Sequence, residues 1–346
     1  MFKIHFSTNG RVVWLQFYRQ FSPFIPKSYN SRVQFVVKST IILYDRATCK
    51  YYVQEIIMNF KIITDSTATL SAEYLNKHDV SAVTLFYLLN GEVYPAYDQD
   101  KPTAFDGFYD EMRKRATVST SCANESQYFE EFEKAVKSRL TVLYVGFSSG
   151  ISASFSCAVK AKEGILEKYP DAKIYCVDTL TGSLGQGHFV KEAVRLRAEG
   201  KTAEEVACFI TEKRRKLDTY LTVNDLYFLH KGGRIPKLSY HIGTLVKIKP
   251  LIKVSDAGTL LSVGKVISRK QSLLALFDII KKDILNPNEA TVYIAHADSL
   301  KDAQFLADKL IRELHIKEVV IDYLEPVIGA HAGPDSIAIF FYSDKN

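Results

Sequence analysis

From Met58 onward, short apolar runs of strand length alternate with longer amphipathic segments of helical length. Parallel strands need a crossover connection, usually a helix, so this alternation predicts an α/β fold. The first half should form a mostly parallel sheet flanked by helices. Asn124 with Gln127 three residues later resembles a capping box. The predicted strands are 61–64, 82–87, 141–147 and 173–177, and the predicted helices are 104–115, 125–137, 154–168, 187–199 and 203–216.

The pattern changes near residue 217. Strand-like segments at 247–254 and 259–266 flank Asp256-Ala257-Gly258, which is a hairpin turn signal. We therefore expect two domains, an amino-terminal α/β domain at 58–216 and a carboxy-terminal α/β domain with a mixed sheet at 217–346. The other elements predicted in the second half are helices 272–284 and 299–313 and strands 291–296, 318–323 and 336–342.

Residues 1–57 do not match the rest of the chain. They contain the only tryptophan, Trp14, and show no sustained strand or helix period followed by a partner element. Our hypothesis is that Met58 is the functional start and that 1–57 is an upstream read-through. The alternative is a genuine amino-terminal arm. Abundant peptides from within 1–57 in mass spectra of the endogenous protein would exclude the read-through.

The formal charge of +6 lies in residues 1–57, which hold eight Lys and Arg against two acidic residues. The remainder carries 37 basic and 37 acidic side chains, so no basic surface for nucleic acid is expected. No apolar stretch reaches the ~20 residues that span a bilayer, and no signal-peptide core is present at the amino terminus. We predict a cytoplasmic protein without nucleic-acid partners or a transmembrane segment, and leave transient membrane contact open.

Five cysteines are present, and they show neither CxxC pairing nor the spacing of metal ligands. Free thiols in a reducing compartment are the simplest interpretation. We therefore expect neither a metal site nor a cofactor.

Polar clusters stand where α/β folds bind ligands, after the carboxyl ends of strands. They are Asp65-Ser66-Thr67, Thr120-Ser121, the Ser-rich segment 148–154, the segment 230–235 with Gly232-Gly233-Arg234, and His331-Ala332-Gly333-Pro334. Each has a structural alternative when it is taken alone. Aspartate and serine often cap helices or form turns, a Gly-Gly-Arg turn can carry a solvated arginine, and a single histidine is often a hydrogen-bonded structural residue.

Together and in this order, the clusters resemble the DegV family of bacterial fatty-acid-binding proteins. The matching motifs are Asp-Ser-Thr, Thr-Ser, the Ser-rich loop, Asp178-Thr179, Lys-Gly-Gly-Arg-Ile and His-x-Gly-Pro. The resemblance covers the chain from Met58 to its end. It implies two α/β domains with a fatty acid buried between them, and some members are the acyl-binding subunit of a fatty acid kinase.

Three positions depart from the family pattern. Cys122-Ala123 replaces Gln-Pro after the Thr-Ser pair, and Ala153 replaces glycine in the Ser-rich loop. Asp335 replaces the last glycine of Gly-Pro-Gly, which would place an anion near the headgroup site. These changes concern ligand choice and kinase coupling more than the fold.

An ionised carboxylate only accepts hydrogen bonds, so its site must be built from donors. The resemblance places Thr120, Ser121, Ser149, Arg234 and His331 at or near the headgroup, and Asp65, Ser66, Ser152, Ser154 and Gly233 in the supporting loops. Backbone amides at the start of the helix after Ser152 would add a partial positive charge. The predicted apolar lining includes Phe228, Leu229 and Ile242.

Burying roughly sixteen carbons at ~0.8 kcal/mol per methylene gives a gross gain on the order of 10 kcal/mol. A charge-assisted hydrogen bond adds only ~1–3 kcal/mol, so the tail should supply affinity and the polar groups orientation. We predict a non-catalytic protein that binds a long-chain fatty acid and presents its carboxylate. The resemblance implies a separate ATP-dependent kinase as the partner that makes the acyl phosphate.

Three alternatives stay open at this stage. Gly146-Phe147-Ser148-Ser149-Gly150 matches the nucleophile elbow of a serine hydrolase, with Ser148 as nucleophile and Asp178 and His331 as partners. A nucleotide-binding kinase is disfavoured because neither Gly-x-x-x-x-Gly-Lys-Ser/Thr nor Gly-x-Gly-x-x-Gly occurs. A lipid carrier that has no kinase partner is the third.

Overall fold

The structure is a computed structural model, and it describes residues 2–8, 11–17, 32–37, 40–45, 50–55, 60–96, 105–235 and 248–344. The chain divides into two compact units, Met1–Ile57 and Met58–Asn346. The predicted division at residue 217 and the read-through hypothesis both stay predictions.

The first unit forms two small antiparallel sheets. β1 (Phe2–Thr8) pairs with β2 (Arg11–Phe17), and β3 (Arg32–Val37), β4 (Thr40–Asp45) and β5 (Lys50–Glu55) follow one another in a second sheet. These pairings differ from the sequence analysis, which found no element with a partner here. Valine, isoleucine, phenylalanine and tyrosine are frequent in these strands, and all of them favour extended backbone.

The second unit contains the remaining strands and all the α-helices of the described residues. In chain order they are β6 (Phe60–Asp65), α1 (Ala72–Lys77), β7 (Val80–Val83), β8 (Phe86–Leu89), β9 (Glu92–Pro95), α2 (Phe105–Arg113), β10 (Val118–Ser121), α3 (Glu125–Lys137), β11 (Thr141–Gly146), α4 (Ser154–Lys168), β12 (Ile174–Asp178), α5 (Ser183–Ala198), α6 (Ala203–Lys213), β13 (Leu217–Thr222), α7 (Tyr227–Lys231), β14 (Ile248–Val254), β15 (Leu260–Ile267), α8 (Arg269–Asp283), β16 (Thr291–His296), α9 (Leu300–Leu314), β17 (Glu318–Tyr323), α10 (Pro326–Ala332) and β18 (Ile337–Tyr342).

A four-stranded sheet in the order β12-β11-β6-β7 has only parallel pairs. This confirms the mostly parallel sheet. β11 is buried along almost its whole length, as expected of a central strand covered by helices on both faces. The capping box before α3 is also confirmed, because the Asn124 side chain accepts from the Gln127 amide and the Gln127 side chain accepts from the Asn124 amide.

The strand predicted at 82–87 is divided between two sheets. β7 ends at Val83, and the amide of Leu85 donates to the Ser66 hydroxyl at 3.0 Å instead of to a neighbouring strand. The chain then enters a small antiparallel sheet in the order β10-β8-β9. Helix α5 also begins at Ser183, four residues earlier than predicted, because glycines in its first turn weaken the helical pattern.

The six-stranded sheet has the order β15-β14-β13-β18-β16-β17, and only β16 and β17 are parallel. This confirms the mixed sheet predicted for the second half. No helix of the described residues is both long and apolar enough to cross a bilayer.

Candidate functional site

A cavity of about 220 Å³ lies between the loops that follow β11 and β12 and the side chains of the mixed sheet. Its wall is largely apolar. The apolar lining residues come from both halves of the unit and are Leu85, Cys122, Phe147, Ile151, Ala153, Gly182, Leu221, Leu229, Val254, Leu260, Leu324, Val327, Ile328, Ala332, Ile337, Ala338 and Phe340.

Three of the five predicted carboxylate ligands meet on this wall. Thr120 at the end of β10, Arg234 after α7 and His331 near the end of α10 all line the cavity. Thr120 Oγ1 and His331 Nε2 are 2.8 Å apart and share a hydrogen bond. They come from segments more than 200 residues apart in sequence, and only the fold brings them together.

Arg234 is half-buried and has no carboxylate partner among the described residues. Its Nε donates to the carbonyl oxygen of Ile151 at 3.2 Å, and its Nη1 donates to the carbonyl oxygen of Gly232. Burial lowers the pKa of this guanidinium, which still stays charged at neutral pH. No hydrogen bond of the described residues uses Nη2, so the group keeps donor capacity for a further acceptor.

His331 is neutral at pH 7. Burial, and secondarily the positive charge of Arg234, lower its pKa to about 4. The polar side of the cavity therefore carries one net positive charge, that of Arg234.

Two glycines of the recognised motifs make room for this arrangement. A β-carbon at Gly232 would lie 2.0 Å from His331 Nδ1, so only glycine lets α7 end against the imidazole. A β-carbon at Gly333 would lie 2.4 Å from Phe228 Cδ2, and the φ of +83° also favours glycine. Gly232 thus lets the His331 ring pack against the end of α7, and Gly333 lets the end of α10 pack against Phe228.

The Ser-rich loop reaches the cavity through Ile151, Ser152 and Ala153. Ala153 is the N-cap of α4 and provides no side-chain cap, so the amino end of that helix lies beside the cavity with its positive partial charge. The Ser152 hydroxyl accepts from the Ser154 amide at 3.2 Å. Ser154 itself is buried and shares a hydrogen bond with the Tyr128 hydroxyl at 2.9 Å.

The remaining predicted site residues lie away from the cavity wall. Ser121 and Ser149 are exposed; the Ser121 hydroxyl donates to the carbonyl oxygen of Cys122, and the Ser149 amide to Asp178. Gly233 is an exposed turn residue with a φ of +72°. A role for Ser121 and Ser149 in carboxylate binding stays a prediction.

Asp65 and Ser66 belong to a buried structural network. Asp65 Oδ2 accepts from the Tyr144 hydroxyl at 2.7 Å and from the Phe147 amide at 3.3 Å. Its Oδ1 accepts from Thr67, through both amide and hydroxyl, and from Gln186 Nε2 at 3.2 Å. This aspartate caps the turn after β6 and fixes the chain that leads into the cavity.

Asp335 does not place a free anion at the site. Arg113 Nη2 donates to Asp335 Oδ1 at 2.9 Å, and the same guanidinium pairs with Asp298. The carboxylate introduced in place of glycine is therefore held in an ion pair with an arginine of α2.

Sequence reasoning missed several polar lining residues, namely Ser183, Thr219 and Ser336. Thr219 stands within the buried strand β13, where alternation carries no signal. Leu229 lines the cavity as predicted, whereas Phe228 is absent from its wall, and Ile242 lies outside the described residues.

Among the described residues, Ser148, Asp178 and His331 do not form the hydrogen-bonded triad of a serine hydrolase. Ser148 is buried, and its hydroxyl donates to the carbonyl oxygen of Gly258 at 2.8 Å. Asp178 accepts from the amide of Leu180 at 2.9 Å, and His331 bonds to Thr120. The described residues contain no hydrogen bond between Ser148 and a histidine, and they contain no cluster of side chains suited to hold a metal ion.

Fold and site together define an α/β protein with a largely apolar ligand cavity that carries a single uncompensated cation. The family described as "Uncharacterised protein, DegV family" matches residues 59–344. A DegV domain-containing protein of Clostridium perfringens is 38% identical over 285 residues, which cover 82% of this chain and 98% of that protein. The chain belongs to the DegV family.

Solved structures share the fold. A fatty-acid-binding DegV family protein from Streptococcus agalactiae is 26% identical with a TM-score of 0.73, covering 84% of this chain and 100% of its own. The Streptococcus pneumoniae fatty acid kinase (Fak) B3 protein, loaded with linoleic acid, is 22% identical with a TM-score of 0.71, covering 83% of this chain and 100% of its own.

Proposed function

We propose that this protein binds a long-chain fatty acid in the cavity, with the carboxylate at Arg234 and the tail among the apolar lining residues. The observation that carries the proposal is the half-buried guanidinium of Arg234, which has no carboxylate partner among the described residues and borders an otherwise apolar cavity. Burying an unpaired charge is costly, so a ligand with one negative charge and an apolar body fits it.

Thr120 and His331 would orient the carboxylate beside Arg234. Their mutual hydrogen bond leaves either the hydroxyl or the imidazole able to serve a ligand oxygen. The neutral state of His331 keeps the site at one positive charge, which matches one carboxylate. The amino end of α4, where Ala153 provides no side-chain cap, adds partial positive charge on the same side.

Native mass spectrometry of the purified protein, followed by lipid extraction, tests the binding proposal. We expect a bound fatty acid, or uptake of added palmitate or oleate by protein that is purified empty. A protein that is empty and ignores both acids contradicts the proposal.

We further propose that the bound carboxylate is presented to a separate ATP-dependent fatty acid kinase, which forms the acyl phosphate. Two facts support this step: the chain contains no phosphate-binding glycine loop, and a structural neighbour is named as a fatty acid kinase B3 protein. Incubation with a fatty acid kinase, ATP and palmitate should yield acyl phosphate. Binding without acyl phosphate would instead favour a lipid carrier that has no kinase partner.

Arg234→Ala separates orientation from affinity. The variant should lose more acyl phosphate yield than palmitate affinity, because the tail supplies most of the binding energy. A wild-type yield would contradict this role of Arg234. Stoichiometric labelling of Ser148 by a fluorophosphonate would revive the hydrolase alternative.

A further inference from the structure

A second groove, of about 550 Å³, shares none of its described lining residues with the fatty acid cavity. It forms where α5 and α6 meet the segment before β16 and the end of β18. Backbone hydrogen bonds join these parts. The amide of Ser343 donates to the carbonyl oxygen of Lys216 at 3.0 Å, and the amide of Leu285 donates to that of Tyr342 at 3.0 Å. The second groove is therefore built on hydrogen-bonded backbone.

Three hydrogen-bonded side chains line the second groove. Nδ1 of His188 lies 3.0 Å from the Tyr293 hydroxyl, and Nε2 lies 3.0 Å from the Tyr342 hydroxyl. A neutral imidazole accepts one hydrogen bond and donates one, and a protonated imidazole only donates. At least one tyrosine hydroxyl therefore accepts from the ring and keeps its own proton. The hydrogen bonds of the described residues give that proton no acceptor, so it can be donated to a ligand oxygen.

The second groove carries an excess of positive charge. Three exposed lysines line it, and none forms an ion pair with another residue that the structure describes; they are Lys191, Lys213 and Lys216. Of the two lining glutamates, Glu192 is paired with Arg195 at 2.8 Å. Only Glu289 is left to offset the three lysines, so two positive charges remain uncompensated. A groove with one sign of excess charge attracts ligands of the opposite charge.

Apolar side chains lie in the same groove as the lysines. Phe209 lies one turn before Lys213 on α6, and the Lys213 ammonium is 6.0 Å from the centroid of the Phe209 ring. Leu285 and Ala290 add further apolar surface. An aromatic ring offers a stacking face to a flat apolar group. The second groove thus combines donors for an anion with a surface for a planar ring.

We propose that the second groove is a binding site for a nucleoside monophosphate. A phosphate monoester, with a second pKa of about 6, is close to a dianion at neutral pH, which matches the two uncompensated charges. Its oxygens accept from Lys213, Lys216 and the tyrosine hydroxyl, since lysine binds phosphate as a point charge. The base stacks on Phe209, and the Glu289 carboxylate accepts from the ribose hydroxyls. This site is separate from the fatty acid site.

Calorimetric titration of the full chain with AMP, inorganic phosphate and adenosine tests the proposal. We expect AMP to bind more tightly than either phosphate or adenosine. The double variant Lys213→Gln/Lys216→Gln should lose about tenfold or more in AMP affinity. The matched control Lys160→Gln/Lys301→Gln removes two exposed lysines outside the groove and should retain wild-type affinity. Absence of AMP binding, or an equal loss in both double variants, would overturn the proposal.

Phe209→Leu separates the base from the phosphate. It should weaken AMP binding and leave phosphate binding unchanged, because only the stacking face is lost. Wild-type protein that binds phosphate as tightly as AMP would overturn the nucleoside assignment.

NMR locates the site independently of fatty acid binding. AMP should shift the ring signals of His188 and leave those of His331 unchanged, since only His188 lines the second groove. Arg234→Ala should keep wild-type AMP affinity, so a failure of the fatty acid proposal leaves this test intact. Shifts at His331 without shifts at His188 would place AMP in the fatty acid cavity and overturn the assignment.

Discussion

Two polar clusters, one around Asp65 and one around Arg234, differ in how completely their hydrogen-bonding groups are used. Around Asp65, both carboxylate oxygens accept from buried donors, and the side chain is 1% exposed. Around Arg234, a half-buried cation meets only two backbone carbonyls, and no carboxylate of the described residues pairs with it. A satisfied network stabilises the fold, whereas an under-satisfied cation at a cavity is a place for a ligand.

The largest expected effect comes from the satisfied cluster. Asp65→Ala removes the buried acceptor of the Thr67 and Phe147 amides and one hydrogen bond of the Tyr144 hydroxyl, so we expect a loss of about 3–5 kcal/mol in the free energy of unfolding. Urea denaturation measures it. Asp65→Asn keeps the shape and some acceptor capacity and serves as the matched control. A loss below ~1 kcal/mol for Asp65→Ala would show that the network is not structural.

The sequence alone does not predict most of the difference between the Asp65 and Arg234 clusters. Alternating apolar and amphipathic segments predicted the parallel sheet, and the spacing of Asn124 and Gln127 predicted a cap, because both signals are local. The Asp65 network unites three segments that are distant in sequence, and no local pattern distinguishes it from a simple helix cap. Likewise, Ser149 and Ser152 belong to one loop, yet only Ser152 lines the cavity, since the backbone geometry decides which hydroxyl is turned inward.

Smaller strands were missed for a related reason. The strands β9 and β10 have four residues each, which is too short to show a period of two. β10 nevertheless carries Thr120 to the cavity. The arginine was found through the family motif, but its lack of a carboxylate partner became visible only from the packed structure.

Acid should weaken the fold through His331, which belongs to the Arg234 cluster. Its pKa falls from 6.5 to about 4 in the folded state, so the unfolded chain binds the proton first as the pH decreases. This contribution is complete above pH 6.5 and is lost towards pH 4, by up to about 3 kcal/mol. Equilibrium unfolding of wild type and His331→Gln across this range should show a flatter pH dependence for the variant.

A second half-buried histidine, His188, is the control for effects of palmitate that are specific to the cavity. Burial also lowers the pKa of His188 to about 4, but His188 hydrogen-bonds to Tyr293 and Tyr342 and does not line the cavity. Palmitate should raise the pKa of His331 measured by NMR and leave that of His188 unchanged. Burial raises the pKa of Glu325 to about 8, so protonation of Glu325 at lower pH stabilises the fold, in the direction opposite to His331. In the unfolding experiment, the contribution of His331 is therefore the difference in the free energy of unfolding between the wild type and His331→Gln at each pH. Equal shifts at both histidines would mean that the carboxylate is not beside His331.

Arg234→Leu should weaken palmitate binding and leave stability nearly unchanged, whereas Asp65→Ala is expected to lower stability. Removing a half-buried cation that has no carboxylate partner among the described residues should leave the free energy of unfolding unchanged or raise it by up to ~1 kcal/mol. Palmitate affinity should fall by ~1.5–3 kcal/mol, because a charge-assisted hydrogen bond is lost. Calorimetric titration and urea denaturation measure the two effects. Arg113→Leu, which alters an arginine away from the cavity, is the control and should retain palmitate binding.

The smallest effect is expected at Asp335, where the chain departs from the family glycine. Its carboxylate pairs with Arg113, but both side chains are more than a third exposed on average, and such pairs contribute ~0–1 kcal/mol. The φ of +61° disfavours aspartate relative to glycine by a similar amount, roughly 1 kcal/mol. Asp335→Gly should therefore change the free energy of unfolding by less than ~1 kcal/mol, measured in urea. A loss of several kcal/mol would instead place Asp335 with Asp65 among the residues that the fold requires, since it would mean that Arg113 depends on this partner.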